Sequence, residues 1–274
     1  MNGILTMGEV MGLFLSDQVG RITPGSLMRT SVAGSEFNVA AALSRLQVPT
    51  SCAGTVGNDL VGPMVRNVLQ GEGVDDVRFL EMLSGYRMGF MIKERYGLQQ
   101  EPRVHYYRRH TAMHQRAVPA GMAAAVGEGW VHLSGITLMI DDNLRHRIEK
   151  GLTGWTEQQS GSLSIDLNVR RRLGHGAAET ECVRDGIAFR GDLVDLWDTD
   201  EVSLLVENGT FKPDHVVIVT DGPRGSWLSI KGARELSRCQ SSPSRAWLTW
   251  SAPGTALWRG CWPVDSQGGI GTSH

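Results

Sequence analysis

The sequence predicts an α/β fold with a mostly parallel sheet and helices on both of its faces. Short apolar runs of strand length alternate with longer segments of helical period, the pattern of parallel strands joined by crossover helices. Glycine accounts for 34 of the 274 residues, which suits the many tight turns of such a fold. With 41% hydrophobic and 20% charged residues, the chain can bury a large core.

Composition disfavours several functional classes. A net charge of −2 gives no general attraction to nucleic acid or to an anionic membrane. The four cysteines are far apart and form no CxxC pair, so neither a disulfide framework nor a zinc site is expected and a reducing cytoplasm fits better. His105, His110 and His114 are the nearest to a cluster, but no cysteine or carboxylate completes a metal-ligand set. The N-terminal run carries Glu9 among its apolar residues and no charged residue before them, so neither a signal peptide nor a membrane span is expected there.

The predicted elements follow one another along the chain. The run ILTMGEVMGLFL predicts a first strand that ends in a turn, and SEFNVAAALSRLQV predicts a helix because Phe37, Ala41, Leu43 and Leu46 lie near helical spacing. PTSCAGTVG is a short strand, and LVGPMVRNVLQGEGV is a helix closed by glycines. Strands are then expected in GWVHLSGI and GSLSIDLNVR, helices in DDNLRHRIEKGL and DEVSLLVENG, and a strand–turn–strand unit in PDHVVIVTDGPRGSWLSIKG.

A small accessory sheet is predicted beside the main one. YRMGFMIKERY and RVHYYRR alternate as two strands, and we expect them to join the segment that follows the first strand. The accessory sheet would use residues 12–33 and 86–109. No internal repeat or linker divides the chain, so one domain is the default.

The segment AGSEFNVAAALSRL contains the first candidate site. Gly34 and Ser35 would let backbone N–H groups at the helix start face a ligand, and Asn38 lies one turn further on. An ordinary helix start with Asn38 on its polar face is the alternative. The following AGTVGNDLVG lacks the spacing of a dinucleotide fingerprint, and its Asp59 suits a helix cap.

The segment HYYRRH contains the second candidate site. At strand period, Tyr106 and Arg108 share one face while Tyr107 and Arg109 share the other. A phenol and a guanidinium suit a polyhydroxy acid. An edge strand protected by charge would show the same pattern.

Polar residues also follow two buried strands. IDLNVR places Asp166, Asn168 and Arg170 on one side, and burial of such groups is costly without partners, which favours a site. VTDGPRGSW could cradle phosphates through backbone N–H groups near Gly222 and Gly225, although the segment taken by itself favours a plain hairpin turn.

Taken in order, these motifs resemble those of the ribokinase-like (PfkB) sugar kinases over residues 5 to about 235, and most of all the 2-keto-3-deoxygluconate kinases. The resemblance implies a Rossmann-like core with a β-lid that meets its counterpart in a homodimer. It implies phosphorylation of a small sugar acid by ATP with Mg²⁺, without nucleic-acid or membrane partners. It assigns the sugar to Gly34, Ser35, Asn38, Tyr106 and Arg108, and the sugar carboxylate to Arg170. The residues that it places along ATP are Asn168, Thr220, Gly222 and Gly225.

The chain departs from the family pattern at several points. The usual GG of the first motif is Ala33–Gly34, a lid tyrosine is Met91, and the irregular DLWDTDEV replaces a nucleotide-side segment. The D-T-x-G-A-G-D string, whose last aspartate would be the catalytic base, is absent.

The end of the chain offers a reason for that absence. The stretch from Arg245 to Pro263 holds four of the eight tryptophans and has no helical or strand period. Regrouping the codons of residues 247–262 by one base allows V-V-D-L-V-G-A-G-D-S-F-V-A-G-L-L, with the catalytic aspartate near Thr255. We therefore expect a frameshift between about Ile230 and Trp247, a kinase domain over 1–240, and an out-of-frame tail over 241–274.

Loss of the motif predicts a chain with little or no turnover. Two alternatives stay open at this point: a non-catalytic protein that binds sugar acids, and an unstable pseudogene product that exposes one face of its sheet. A genuine divergent end with an aromatic patch is the alternative to the frameshift.

Overall fold

The computed structural model describes most of the chain up to residue 166 and the backbone of four later strands. Side chains are described in residues 3–74, 80–96, 102–115, 129–138, 143–148 and 162–166. The backbone alone is described for Met139 and in residues 191–196, 216–220, 226–229 and 237–239.

The strands alternate with helices as expected. In chain order the strands are β1 (Ile4–Met7), β2 (Met11–Val19), β3 (Met28–Ala33), β4 (Thr50–Gly57), β5 (Leu80–Leu83), β6 (Phe90–Arg95), β7 (Arg103–Tyr107), β8 (Trp130–Ser134), β9 (Ser162–Asp166), β10 (Gly191–Leu196), β11 (Val216–Thr220), β12 (Ser226–Ser229) and β13 (Ser237–Cys239). The helices are α1 (Ser35–Arg45), α2 (Val61–Gly71), α3 (Ala112–Gln115), α4 (Gly135–Met139) and α5 (143–148).

The main sheet is mostly parallel, which confirms the predicted fold class. Among the described residues, nine strands run in the order β13-β12-β11-β10-β9-β8-β1-β4-β5. Neighbours are parallel from β11 to β5, whereas the β11–β12 and β12–β13 pairs are antiparallel. The β11–β12 hairpin is the strand–turn–strand unit that the glycine-rich segment predicts.

The accessory sheet contains four of the described strands, in the order β3-β2-β6-β7. Strands β3, β6 and β7 lie in the two segments that the sequence indicated, and β2 begins one residue before the first of them, at Met11; β7 is an edge strand. Asp59 ties this sheet to α2: its Oδ1 accepts the N–H groups of Val61 (3.1 Å) and Gly62 (3.2 Å). Its Oδ2 accepts the N–H of Met88 at 2.8 Å. The expected helix cap therefore also fixes the approach to β6.

Helix α1 packs against β1, β4 and β8 and covers the centre of the main sheet. It does so through small residues, since Ala40 and Ala41 are buried beside Phe37 and contact a cluster that includes Cys52 of β4. Close packing of this helix brings its N-terminus to the carboxyl end of β1, where ligands of such sheets bind.

Several sequence predictions need correction. The first apolar run is two strands in different sheets, because the chain turns at Gly8–Val10 between β1 and β2. Leu46 lies beyond the end of α1 and is 64% exposed, so it is not part of the helix's apolar face. Strands β5, β10 and β13 were not predicted. The helix expected in DEVSLLVENG lies outside the described residues.

Candidate active site

The carboxyl end of β1 is the point where the two sheets meet. Gly8 and Glu9 follow β1 directly, and β2 of the accessory sheet begins at Met11. Glu9 is buried, with 4% of its surface exposed. A buried carboxylate at the junction of two sheets requires partners, because burial of an unpaired charge is costly.

Arg108 is the charged partner of Glu9. Its Nη2 lies 2.6 Å from Glu9 Oε2, and the two side chains are 16% and 3% exposed. Thr111 donates its hydroxyl to the other carboxylate oxygen, Oε1, at 3.0 Å. His114 Nδ1 lies 3.1 Å from the same hydroxyl. The end of β1 is thus joined to the segment that follows β7 by a buried polar network.

Gly34 lies on the other side of Glu9. A Cβ at residue 34 would be 2.6 Å from the Glu9 carbonyl oxygen, so only glycine allows this approach. Ser35 begins α1 directly after it, and the N–H of Asn38 donates to the Gly34 carbonyl at 3.0 Å in the first turn. Through Glu9, the structure brings the start of α1 close to Arg108, two parts of the predicted site that are distant in sequence.

Tyr106 lies on the accessory-sheet face predicted for the site. It pairs with Met91 of β6, which in turn pairs with Leu13 of β2, so the three side chains share that face. Tyr106 and Arg108 are half-buried while Tyr107 and Arg109 are exposed. Strand β7 ends at Tyr107, so the predicted strand faces hold for Tyr106 and Tyr107, whereas Arg108 and Arg109 follow the strand.

A second buried acid, Glu36, was not predicted as part of the site. Its Oε1 accepts the Ser134 N–H at 3.0 Å and the Thr137 hydroxyl at 2.5 Å, which joins α1 to the end of β8. Burial raises the pKa of Glu36 to about 7, helped by the negative charge of Asp166 and opposed by hydrogen bonds from Thr137, Ser134 and the backbone of Glu36 itself. Glycine at position 8 makes room for it, since a Cβ there would be 2.2 Å from the carboxyl carbon.

Strand β8 carries a second group of polar side chains, which hydrogen-bond to β9. His132 Nδ1 lies 2.8 Å from Ser164 Oγ, which also accepts a hydrogen bond from Trp130 Nε1 at 2.9 Å. Burial lowers the pKa of His132 to about 4, so the ring is neutral at physiological pH. Trp130 and His132 precede Ser134, the β8 residue that Glu36 contacts, so they lie nearer the amino end of that strand.

The other predicted site residues are described only in part or not at all. Thr220 ends β11, where the backbone alone is described. The remaining positions lie outside the described residues: Asn168, Arg170, Gly222, Gly225 and Thr255.

Two signals in the sequence could have pointed to the missed acids. Glu9 interrupts an apolar run, and Glu36 occupies the buried side of α1 beside Phe37. An acid at a position that the pattern reserves for an apolar residue indicates a specific partner in the fold.

Solved structures of carbohydrate kinases share this fold. A PfkB protein from Polaromonas sp. JS666 superposes with a TM-score of 0.71 at 21% identity, covering 89% of this chain and 84% of that one. An uncharacterized sugar kinase from Pyrococcus horikoshii, in complex with ATP, gives 0.70 at 21% identity, covering 87% and 77%. These likenesses define the class of the fold as ribokinase-like.

The sequence places the chain within one family of that class. The model of the pfkB family carbohydrate kinases matches residues 1–243, and the chain belongs to that family. A 2-dehydro-3-deoxygluconokinase from Bacillus subtilis (strain 168) is 26% identical over 166 residues, which is 52% of this chain and 51% of that protein. The alignment with this curated relative thus spans about half the length of each chain. Among the described residues, no helix is long and apolar enough to cross a bilayer.

Proposed function

We propose that this chain derives from a cytoplasmic kinase that uses ATP and Mg²⁺ to phosphorylate a sugar acid, 2-keto-3-deoxygluconate. The observation that carries the proposal is the meeting of Gly34 and Arg108 at Glu9, in a chain of the pfkB carbohydrate kinase family. The Bacillus subtilis relative, whose name refers to the same sugar acid, supports the choice of substrate. The ATP complex of the Pyrococcus horikoshii kinase supports the choice of phosphoryl donor.

In this proposal the two sheets hold the sugar between them. The first turn of α1, with Gly34, Ser35 and Asn38, binds sugar hydroxyls from the main-sheet side. Tyr106 and Arg108 approach from the accessory sheet, which acts as a lid over residues 12–33 and 86–109, and Arg170 binds the carboxylate. Fixed groups of this kind lower the barrier by orienting the hydroxyl that is to be phosphorylated.

The nucleotide would lie along Asn168, Thr220, Gly222 and Gly225. When bound, Mg²⁺ would supply neutralisation of phosphate charge. The sugar hydroxyl oxygen forms a bond to the γ-phosphorus, the bond to the bridging oxygen of ADP breaks, and the hydroxyl proton leaves to a base. In the family motif that base is the last aspartate of D-T-x-G-A-G-D, and this chain has no such string.

We further propose that the absent motif was lost by a frameshift and that the 274-residue chain has little or no kinase activity. The family match ends at residue 243, close to the expected start of the out-of-frame tail at 241. Loss of a base and of an anion-binding loop together would lower kcat by several orders of magnitude. Binding of the sugar acid without turnover is the activity that then remains.

A comparison of two proteins tests the proposal. The 274-residue chain and a version with the reading frame restored after about residue 240 are assayed for sugar-dependent ADP release, with a panel of sugars and sugar acids. We expect turnover only in the restored protein, with 2-keto-3-deoxygluconate preferred. Ordinary turnover by the 274-residue chain would disprove the proposed impairment. A restored protein that phosphorylates none of the panel would refute the kinase assignment.

A further inference from the structure

We infer that Glu9 is a positioning residue that sets the charge and direction of Arg108 toward the sugar, and so helps to decide between acidic and neutral sugars. The inference rests on the proposed sugar site. Glu9 has no direct part in that site, because its carboxylate is buried behind Arg108 and only its backbone contacts Gly34.

The Glu9 carboxylate has little freedom to move. Thr111 donates to Oε1, and a Cβ at Gly89 would be 2.8 Å from that same oxygen, so β6 passes close to it. Its backbone carbonyl is in turn enclosed by Gly34. A residue confined at both its carboxylate and its backbone can hold a flexible arginine in one orientation.

The Arg108 guanidinium keeps donors that Glu9 does not use. Nη2 lies 2.6 Å from Glu9 Oε2, yet that oxygen accepts no hydrogen bond of good geometry from the described residues, so the attraction is mainly between charges. Arg108 Nε is buried and has no hydrogen-bond partner in the part of the chain that the structure describes. A buried N–H without an acceptor favours a ligand oxygen that can supply one.

The charge of Glu9 determines whether Arg108 binds a carboxylate oxygen or a hydroxyl oxygen of the ligand. A guanidinium already neutralised by a buried carboxylate attracts a second carboxylate only weakly, whereas its unused N–H groups still suit hydroxyl oxygens. We therefore assign Arg108 to sugar hydroxyls and leave the sugar carboxylate to another cation. Removal of the Glu9 charge would free the positive charge of Arg108, and removal of Arg108 would leave a buried negative charge.

The two substitutions should therefore change ligand preference in opposite directions. Calorimetry on the 274-residue protein would measure the Kd of 2-keto-3-deoxygluconate and of D-fructose, a neutral keto sugar with the same number of carbons. For Glu9→Gln, we expect affinity for D-fructose to fall and the acid-to-neutral affinity ratio to rise on the order of tenfold. For Arg108→Gln, both affinities fall and the ratio falls by a similar factor.

Two controls are a variant with both Glu9→Gln and Arg108→Gln, and a variant of a different acid–arginine pair, Arg45–Glu72. In the Arg108→Gln background, a further Glu9→Gln change should not raise the ratio above the wild-type value, because Glu9 acts through Arg108. Glu72→Gln, which breaks the exposed Arg45–Glu72 pair (two contacts of 2.7 Å), should leave both affinities unchanged. A purely structural role for Glu9 would lower both affinities and leave their ratio constant, and that result would overturn the inference.

Failure of the inference can be told from failure of the proposed function. If wild-type protein binds both ligands and their affinity ratio stays constant in both single variants, only the role of Glu9 is wrong. If wild-type protein binds neither ligand, the proposed sugar site and the inference both fall. Should Glu9→Gln not fold, Arg108→Gln alone decides, since an unchanged ratio in that variant overturns the inference.

Discussion

Glu36→Gln should change how stability depends on pH. The glutamine keeps an acceptor for the Ser134 N–H and the Thr137 hydroxyl, and it fits the same space against Gly8. It differs mainly in that it cannot ionise. The variant therefore isolates the cost of the buried carboxylate at the start of α1.

The sign and size follow from the pKa of Glu36. Burial raises it from 4.5 to about 7 in the folded protein. Below pH 4.5 the group is protonated in both states and carries no penalty. Between 4.5 and about 7 the unfolded chain releases the proton that the folded chain keeps, so folding stability falls as pH rises. At about 1.36 kcal/mol for each pH unit, the full penalty above pH 7 is about 3 kcal/mol.

Urea unfolding of the wild type and of Glu36→Gln, at intervals between pH 4 and pH 8, measures this penalty. We expect the stability of the variant relative to wild type to rise by about 3 kcal/mol across that range. Leu133→Ala, which removes an uncharged and fully buried side chain, should show a difference that does not vary with pH. If the stability difference between Glu36→Gln and wild type were equally independent of pH, the raised pKa of Glu36 would be refuted.

Three further predictions concern other buried groups. Because burial lowers the pKa of His132 to about 4, replacing it by Gln should remove a loss of stability that wild type shows as pH falls from 6.5 to 4, and urea unfolding would detect it; an unchanged acid profile would contradict this. Burial raises the pKa of the Cys52 thiol to about 12, so this thiol should not react in the native protein. A titration of reactive thiols should give equal counts for native wild type and native Cys52→Ser, and one more thiol for wild type in denaturant; an extra reactive thiol in native wild type would contradict this. Gly34→Ala should lose sugar-acid binding in calorimetry, because its Cβ would lie 2.6 Å from the Glu9 carbonyl; wild-type affinity would show that the contact is not needed.

The main features of the fold were predictable because they follow from local patterns. The period of SEFNVAAALSRLQV gave α1 and the alternation of RVHYYRR gave β7, and both depend on neighbouring residues only. Strand β10 was missed because GDLVDL mixes charge with apolar residues, a pattern that suits a surface segment equally well. The division of the first apolar run into β1 and β2 depends on sheet packing, which no local pattern records.

The candidate site was predictable in its residue types but not in its pairings. The family resemblance implied that Gly34 and Arg108 are separate ligands of a sugar. That Glu9 joins them depends on a contact between residues about a hundred positions apart, and Glu36 meets Ser134 and Thr137 across a similar separation. Such pairings arise only when the two sheets and α1 are assembled, so a single sequence cannot specify them.

We propose above that this member of the pfkB carbohydrate kinase family keeps a sugar-acid binding site but lacks the catalytic motif. The most direct measurement is sugar-dependent ADP release by the 274-residue chain and its frame-restored counterpart, alongside calorimetric binding of 2-keto-3-deoxygluconate to both. We expect binding by both proteins and turnover by the restored protein alone. Equal turnover by the two proteins, or binding by neither, would contradict the proposal.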